Sequence, residues 1–403
     1  MPANDNSLAL PPVSLYVHIP WCVRKCPYCD FNSHQAARDH TDTDYALPQA
    51  DYVAQLRRDL KSQLPWVQGR KLQSIFFGGG TPSLFSPEAI GQILAMAEAL
   101  VGFARDIEIT LEANPGTFEQ AKFTGYRAAG VNRLSIGVQS FNTDHLHRLG
   151  RIHSGEEAVS ALAMARRAGF DNINLDLMHG LPQQTEAQAL EDLHRAVSLA
   201  PEHISWYQLT IEPNTAFYSA PPSTPGPERI AGMQGSGRAF LTSRGYLRYE
   251  ISAYSGEGLE SRHNLNYWSF GDYLGIGAGA HGKVTLPRDG QVLRTRRTRT
   301  PRDYLAIAPA RELLYTELAA PQVDPIEAGD LPLEFLMNAL RLVEGVPLYS
   351  FERYTGQSLE VLSRHWPTLV AMDLVEPLER RIAASAFGFD YLDEILQRFL
   401  EQP

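Results

Sequence analysis

Cysteine is scarce in this chain: three residues in 403, Cys22, Cys26 and Cys29, all inside one stretch of eight. A disulfide framework uses an even number of cysteines spread along the chain, so none is expected. Three thiols grouped together indicate instead a metal site in a reducing compartment. Long apolar runs are missing too, since no stretch approaches the ~20 residues of a spanning helix. The opening MPANDNSLALPPVS has neither a basic start nor an apolar segment, so a secretory signal is not expected. Positive charge is in deficit: 36 Lys and Arg stand against 46 Asp and Glu, a net charge of −10. A phosphate backbone wants a basic surface, so nucleic acid is not expected as a general partner. Together these features predict a cytoplasmic protein.

The length suffices for one large domain and a smaller one. Residues 1–13 read as a flexible lead. From Ser14 to about Leu209, short β-rich runs alternate with helical patterns. The predicted strands are 14–19, 73–77, 107–113, 133–138, 172–178 and 203–209. Helix signals fall between them. Ser86-Pro87 is an N-cap with proline at the first helical position, followed by Ile90, Ile93, Leu94, Ala97 and Val101 on one face. Thr117 and Gln120, Ser154 and Glu157, and Thr185 and Gln188 have capping-box spacing. Gly130 and Gly169 sit where helices should end. Six strands alternating with helices predict an α/β fold with a parallel sheet, whose chemistry belongs at the C-terminal ends of the strands. A helix is expected near 226–243. Residues 301–403 read as a smaller, mostly helical C-terminal domain, with helices at 303–316, 331–343, 358–371 and 388–400.

The cysteines follow the first predicted strand as C-x3-C-x2-C. Thiolates are the ligands of iron–sulfur clusters, and three of them on a cuboidal cluster leave one iron open. Spacing alone leaves zinc as an alternative, with His18 or His34 as the fourth ligand that a structural zinc site requires. FGGGTPS (77–83) follows a strand, where glycines permit close backbone approach and exposed N–H groups can take a carboxylate. GIGAGAHG (275–282) lacks the third glycine of a dinucleotide site and reads as a close-packed last strand. The run Arg294, Arg296, Arg297, Arg299 and Arg302 reads as a solvated face, with the propionates of a tetrapyrrole as an alternative attraction.

C-x3-C-x2-C with an aromatic before the last cysteine resembles the radical S-adenosylmethionine (SAM) superfamily. More narrowly, LYVHIPWC, CPYCDFNSH, FFGGGTPS, EANPG, RLSIGVQSF, LGRIH and NLDLMHGLP are similar, in order, to the coproporphyrinogen III oxidase (HemN)-like family, and within it to the HemW-type heme chaperones. The resemblance runs from Ser14 to about Lys283. It implies a partial (β/α)6 barrel over 14–300 carrying a [4Fe-4S] cluster on Cys22, Cys26 and Cys29 and S-adenosyl-L-methionine on its open iron. Tyr16 and Tyr28 match positions lining the cofactor. Gly80 and Thr81 match the motif for its amino-acid end. Glu112, Gln139, Arg151 and Asp176 match positions that hold its ribose and amino-acid moieties.

Two departures bear on activity. The oxidase has a fourth cysteine where this chain has Phe31, and a long arm before its first strand where this chain has about a dozen residues. The resemblance therefore implies a carrier that binds heme and passes it to apo-hemoproteins, respiratory enzymes at the membrane included. A peripheral membrane location through such partners, and a homodimer, stay open. The alternative is an oxygen-independent coproporphyrinogen III oxidase, which decarboxylates propionates by a 5′-deoxyadenosyl radical in porphyrin metabolism. RHNLNYW (262–268) is similar to the H-N-x-x-Y-W motif of the HemW type, which makes His263 the expected heme ligand and His281 its rival.

Overall fold

The computed structural model describes residues 8–37, 47–116, 121–307 and 321–400. The main sheet has twelve strands: β1 (Val13–Ile19), β2 (Leu72–Gly79), β3 (Phe103–Ala113), β4 (Arg133–Gln139), β5 (Ile173–His179), β6 (His203–Gln208), β7 (Leu247–Glu250), β8 (Ala253–Ser255), β9 (Asp272–Ile276), β10 (His281–Leu286), β11 (Gln291–Arg296) and β12 (Gln322–Pro325). Their order across the sheet is β12-β11-β10-β9-β1-β2-β3-β4-β5-β6-β8-β7. The six predicted strands are β1 to β6, neighbours in chain order and all parallel.

Helices return the chain between these strands, and their predicted ends hold. The Ser86 side chain accepts from the Ala89 amide, with Pro87 beginning the helix Pro87–Leu100. Ser154 with Glu157, and Thr185 with Gln188, form complete capping boxes on Gly155–Arg167 and Glu186–Ser198. Gly130 and Gly169 take positive φ beyond their helices, a conformation that costs glycine least. The pair Thr117 and Gln120 lies outside the described residues. The helix expected near 226–243 spans Pro227–Ser243.

Side chains alternate along the strands, and the two faces differ in kind. Leu15, Val17, Ile75, Phe77, Leu111, Leu134, Ile136, Leu175 and Ile204 are buried in one apolar core with the helices. The opposite face carries Tyr16, Thr110, Glu112, Arg133, Ser135, Asn174, Asp176, His203 and Ser205. Parallel strands are ordinarily apolar on both faces. The polar face is concave: Glu112 of β3 and His281 of β10 line the same cavity.

Three findings differ from the sequence reading. Residues 8–12 are docked: Leu8 is buried, and the Ala9 amide donates to the Arg353 carbonyl at 2.7 Å. GIGAGAHG is not one strand, because β9 stops at Ile276 and Gly277 and Gly279 turn the chain, with φ of 103° and 82°. The main sheet continues past position 300, where β12 pairs with β11. Beyond it a second core gathers Leu331, Phe335, Leu336, Phe351, Trp366, Leu369 and Ile395 with Leu8, Phe270 and Val292. Its helices are Leu331–Ala339, Tyr349–Thr355, Glu360–Ser363, Trp366–Ala371 and Leu392–Leu400. The helix expected at 303–316 is described only as Pro301–Leu305.

Candidate cofactor site

The loop after β1 carries the three cysteines and is tied down at both ends. The His34 amide donates to the Pro20 carbonyl and the Ala36 amide to the Cys22 carbonyl. His18, buried on β1, holds the loop's middle: its Nε2 bonds the Asn32 carbonyl at 2.9 Å. That nitrogen must then carry the proton, so Nδ1 accepts from the Tyr16 hydroxyl at 3.0 Å. With both ring nitrogens engaged, His18 has no lone pair for zinc. Asn32 in turn donates to the carbonyls of Ala278 and Arg299. A Cβ on Gly279 would stand 2.2 Å from the Asn32 amide nitrogen, so the glycine-rich turn is shaped to seat the cluster loop.

Cys22, Cys26, Cys29, Tyr28, Gly80, Thr81, Glu112, Gln139, Arg151 and Asp176 line one cavity of about 500 Å³ at the C-terminal ends of the strands. Ten of the twelve residues expected at the site are therefore together. Tyr16 and His263 line a second cavity of about 780 Å³, which shares Phe31, Gly79 and Glu112 with the first.

Burial sets the electrostatics of the first cavity. It pushes the Cys22 thiol up to about 11 and raises Cys29 as well. The Arg151 guanidinium stands 3.6 Å from the Cys26 sulfur and donates to Asn114 Oδ1 at 2.7 Å and the Gly137 carbonyl at 2.8 Å. Burial, then repulsion from Asp176, lifts Glu112 to about 8, and only the Gly79 amide favours its charged form. Asp176 is also raised by burial, but it accepts from Ser135 Oγ at 2.9 Å and Asn174 Nδ2 at 2.8 Å. Gln139 holds a left-handed φ of 68°, a strained backbone of the kind that gathers at functional sites, and accepts from the Tyr207 hydroxyl.

The glycine strip works differently from the sequence reading. The Gly80 and Thr81 amides donate to the carbonyls of Ile19 and Trp21, so these two N–H groups are spent on the protein. A Cβ on Gly80 would lie 2.5 Å from the Trp21 carbonyl oxygen, and one on Gly79 2.5 Å from the His18 ring. The glycines bring β2 against the chain entering the cysteine loop.

A protein of Haemophilus influenzae described as "Heme chaperone HemW" is 47% identical over 98% of this chain and 99% of its own length. The chain belongs to the HemW family. A HemW of Escherichia coli is likewise 47% identical, covering 98% of this chain and 99% of that one. A bovine "Radical S-adenosyl methionine domain-containing protein 1, mitochondrial" is 33% identical over 96% and 87%. Residues 16–196 match the radical SAM superfamily. The solved structure of coproporphyrinogen III oxidase (HemN) from Escherichia coli shares the fold, with a TM-score of 0.77 over 97% of this chain and 90% of that one at 22% identity.

Membership implies a [4Fe-4S] cluster and SAM, and the donor set fits both. Among the described residues, no three His, Cys, Asp or Glu side chains form a single-ion site. A cuboidal cluster takes one thiolate per iron, and Cys22, Cys26 and Cys29 line the same cavity. Beside them lie a guanidinium and two carboxyls, matching the carboxylate and ribose hydroxyls of an amino acid nucleoside.

Asn114, Ser135, Ser205 and Tyr207, which the sequence reading does not single out, also line the first cavity. Period-two spacing from Gln139 back along β4 reaches Ser135, which was a usable signal. Asn264 and Trp268, two positions of the H-N-x-x-Y-W motif, reach this cavity on the helix Arg262–Trp268.

Proposed function

We propose that the protein is a heme chaperone of the radical SAM fold, cytoplasmic, which binds heme and delivers it to apo-hemoproteins such as respiratory enzymes. The names of its relatives support this reading. One observation carries it: the His263 imidazole in the wall of the larger cavity. Burial, then the nearby Arg133 charge, hold His263 down to about 4, so it is neutral at physiological pH. Its Nδ1 has no hydrogen-bond partner among the described residues. Phe76 stacks on the ring with centroids 4.7 Å apart, and the His263 amide donates to Glu108. A neutral, rigidly held imidazole in the wall of a cavity is suited to ligate iron. Tyr16, Tyr267 and Tyr273 supply apolar surface for a porphyrin, and Arg296, Arg299 and His281 stand on the same wall. Arg294 is paired with Glu334 and Arg297 with Asp59, so within the arginine run Arg299 is better placed to meet a propionate.

In this reading Cys22, Cys26 and Cys29 hold the cluster, whose chemistry is one-electron transfer. Arg151 orients the carboxylate of SAM, while Glu112 and Asp176 take its ribose hydroxyls. Gln139 and Tyr28 close the sides. Phe31, 62% exposed, lies between the two cavities and covers part of each. The oxidase reading has the shared fold alone behind it. The test is transfer: heme-loaded protein is mixed with an apo-hemoprotein and the two are separated by size. Heme moving to the acceptor supports the proposal, and heme retained or lost to solvent at the rate of free exchange contradicts it.

A further inference from the structure

A buried chain of hydrogen bonds leaves Asp176 and ends on the helix that carries His263. Asn174 turns its Nδ2 toward Asp176 and donates to Oδ1 at 2.8 Å. The Asn174 carbonyl oxygen then points the other way and meets His203 Nδ1 at 2.6 Å and Ser205 Oγ at 3.1 Å. An amide oxygen only accepts, so His203 carries its proton on Nδ1. A neutral imidazole has one N–H, which leaves Nε2 to accept from the Tyr249 hydroxyl at 3.0 Å. The Tyr249 oxygen accepts from Asn264 Nδ2 at 3.2 Å and the Ser261 amide at 3.4 Å. Ser261 caps the helix Arg262–Trp268, and Asn264 is the neighbour of His263. Every donor in the chain points toward Asp176.

The surroundings hold that polarity in place. Asn174 is 2% exposed, His203 1% and Ser261 1%, so water does not compete for these groups. Burial, then the Arg133 charge, keep the His203 imidazole well below its usual range and therefore neutral. The members come from β5, β6, β7 and the helix, which are distant in sequence and share no motif.

We propose that His203 and Tyr249 are positioning residues that fix the ribose-facing carboxylate of Asp176 and tie it to the placement of the His263 helix. The inference rests on the reading of Asp176 as a SAM contact. Neither His203 nor Tyr249 needs to touch SAM.

The test is a double-mutant cycle on SAM affinity with cluster-loaded, full-length protein. Tyr249→Phe keeps the ring packed on His203 and removes only the hydroxyl. It should weaken SAM binding roughly threefold or more. In an Asp176→Asn background, the same substitution should change affinity by less than about twofold, because the group it acts through is already neutral. No effect in either background, or an undiminished effect beside Asp176→Asn, overturns the proposal. An Asp176→Asn protein that binds SAM as wild type does removes the ribose reading and this inference with it. A second measurement needs no substitution. Nitrogen-15 NMR of histidine-labelled wild type should show His203 as the neutral Nδ1–H tautomer, and an Nε2–H tautomer would reverse the chain and overturn it.

Discussion

Glu112 and Asp176 present their carboxyls to the same cavity from β3 and β5, with one strand between them, and only one is stabilised as an anion. Asp176 has hydrogen bonds from Ser135 and Asn174, while Glu112 has little besides the Gly79 amide and is pushed up to about 8. Of the two, Glu112 is therefore the carboxyl that favours a proton.

A ribose hydroxyl donating to Glu112 favours its charged form. SAM affinity should then rise with pH up to about 8 and level off above it. At pH 7 binding should release a proton, seen by calorimetry in buffers of different ionisation enthalpy. Glu112→Gln should flatten both effects. The unliganded protein should show the converse in stability. Glu112 is raised from 4.5 to about 8 on folding, so folding favours the protonated acid, and stability falls as pH rises through that window. Denaturant melts across the window should show the fall, reduced in Glu112→Gln.

Arg151 binds Asn114, Gly137 and the Cys26 sulfur at once. Arg151→Ala should retain the cluster's iron and sulfide and weaken SAM binding by about 1.5–3 kcal/mol, the scale of hydrogen bonds to charged groups. Equilibrium binding on reconstituted protein decides it. Loss of the cluster together with SAM would instead make Arg151 part of the cluster's support.

Gly279→Ala places a methyl against Asn32 and forces alanine into φ near 82°. Overpacking alone costs about 1–3 kcal/mol. The melting temperature should drop, and the cluster loop should lose iron faster under chelator than in wild type. Gly69→Ala, also at positive φ but with nothing within 4 Å, separates backbone strain from displacement of the loop.

Phe31 stands where the oxidase pattern has cysteine, and anaerobic assays with reductant and SAM should show no multiple turnover of coproporphyrinogen III. Sustained formation of protoporphyrinogen IX would install the oxidase reading.

How far the site could be read from the sequence followed the range of its interactions. The cysteine loop, the glycine strip and Glu112 to Asp176 lie beside strand ends, where local pattern and family motif coincide. His203 and Tyr249 sit in strands with ordinary β patterning, and their partners are 12 to 46 residues away. No local rule joins them. GIGAGAHG was read as one strand because its glycines looked like close packing. Close packing was right, but positive φ at Gly277 and Gly279 turns the chain. The lead reads as flexible in the sequence, yet Leu8 is buried in the second core and the Ala9 amide meets the Arg353 carbonyl.

The account stands most directly on heme at His263. Heme should be titrated into cluster-loaded wild type and His263→Ala, with the Soret band followed by absorption and the axial ligand by resonance Raman. The account predicts saturable binding of about one heme per chain, with a histidine-ligated spectrum that is weakened or shifted in His263→Ala. A His281→Ala protein should keep the wild-type spectrum. No saturable binding by wild type, or an unaltered spectrum and affinity in a folded, cluster-loaded His263→Ala protein, would contradict it.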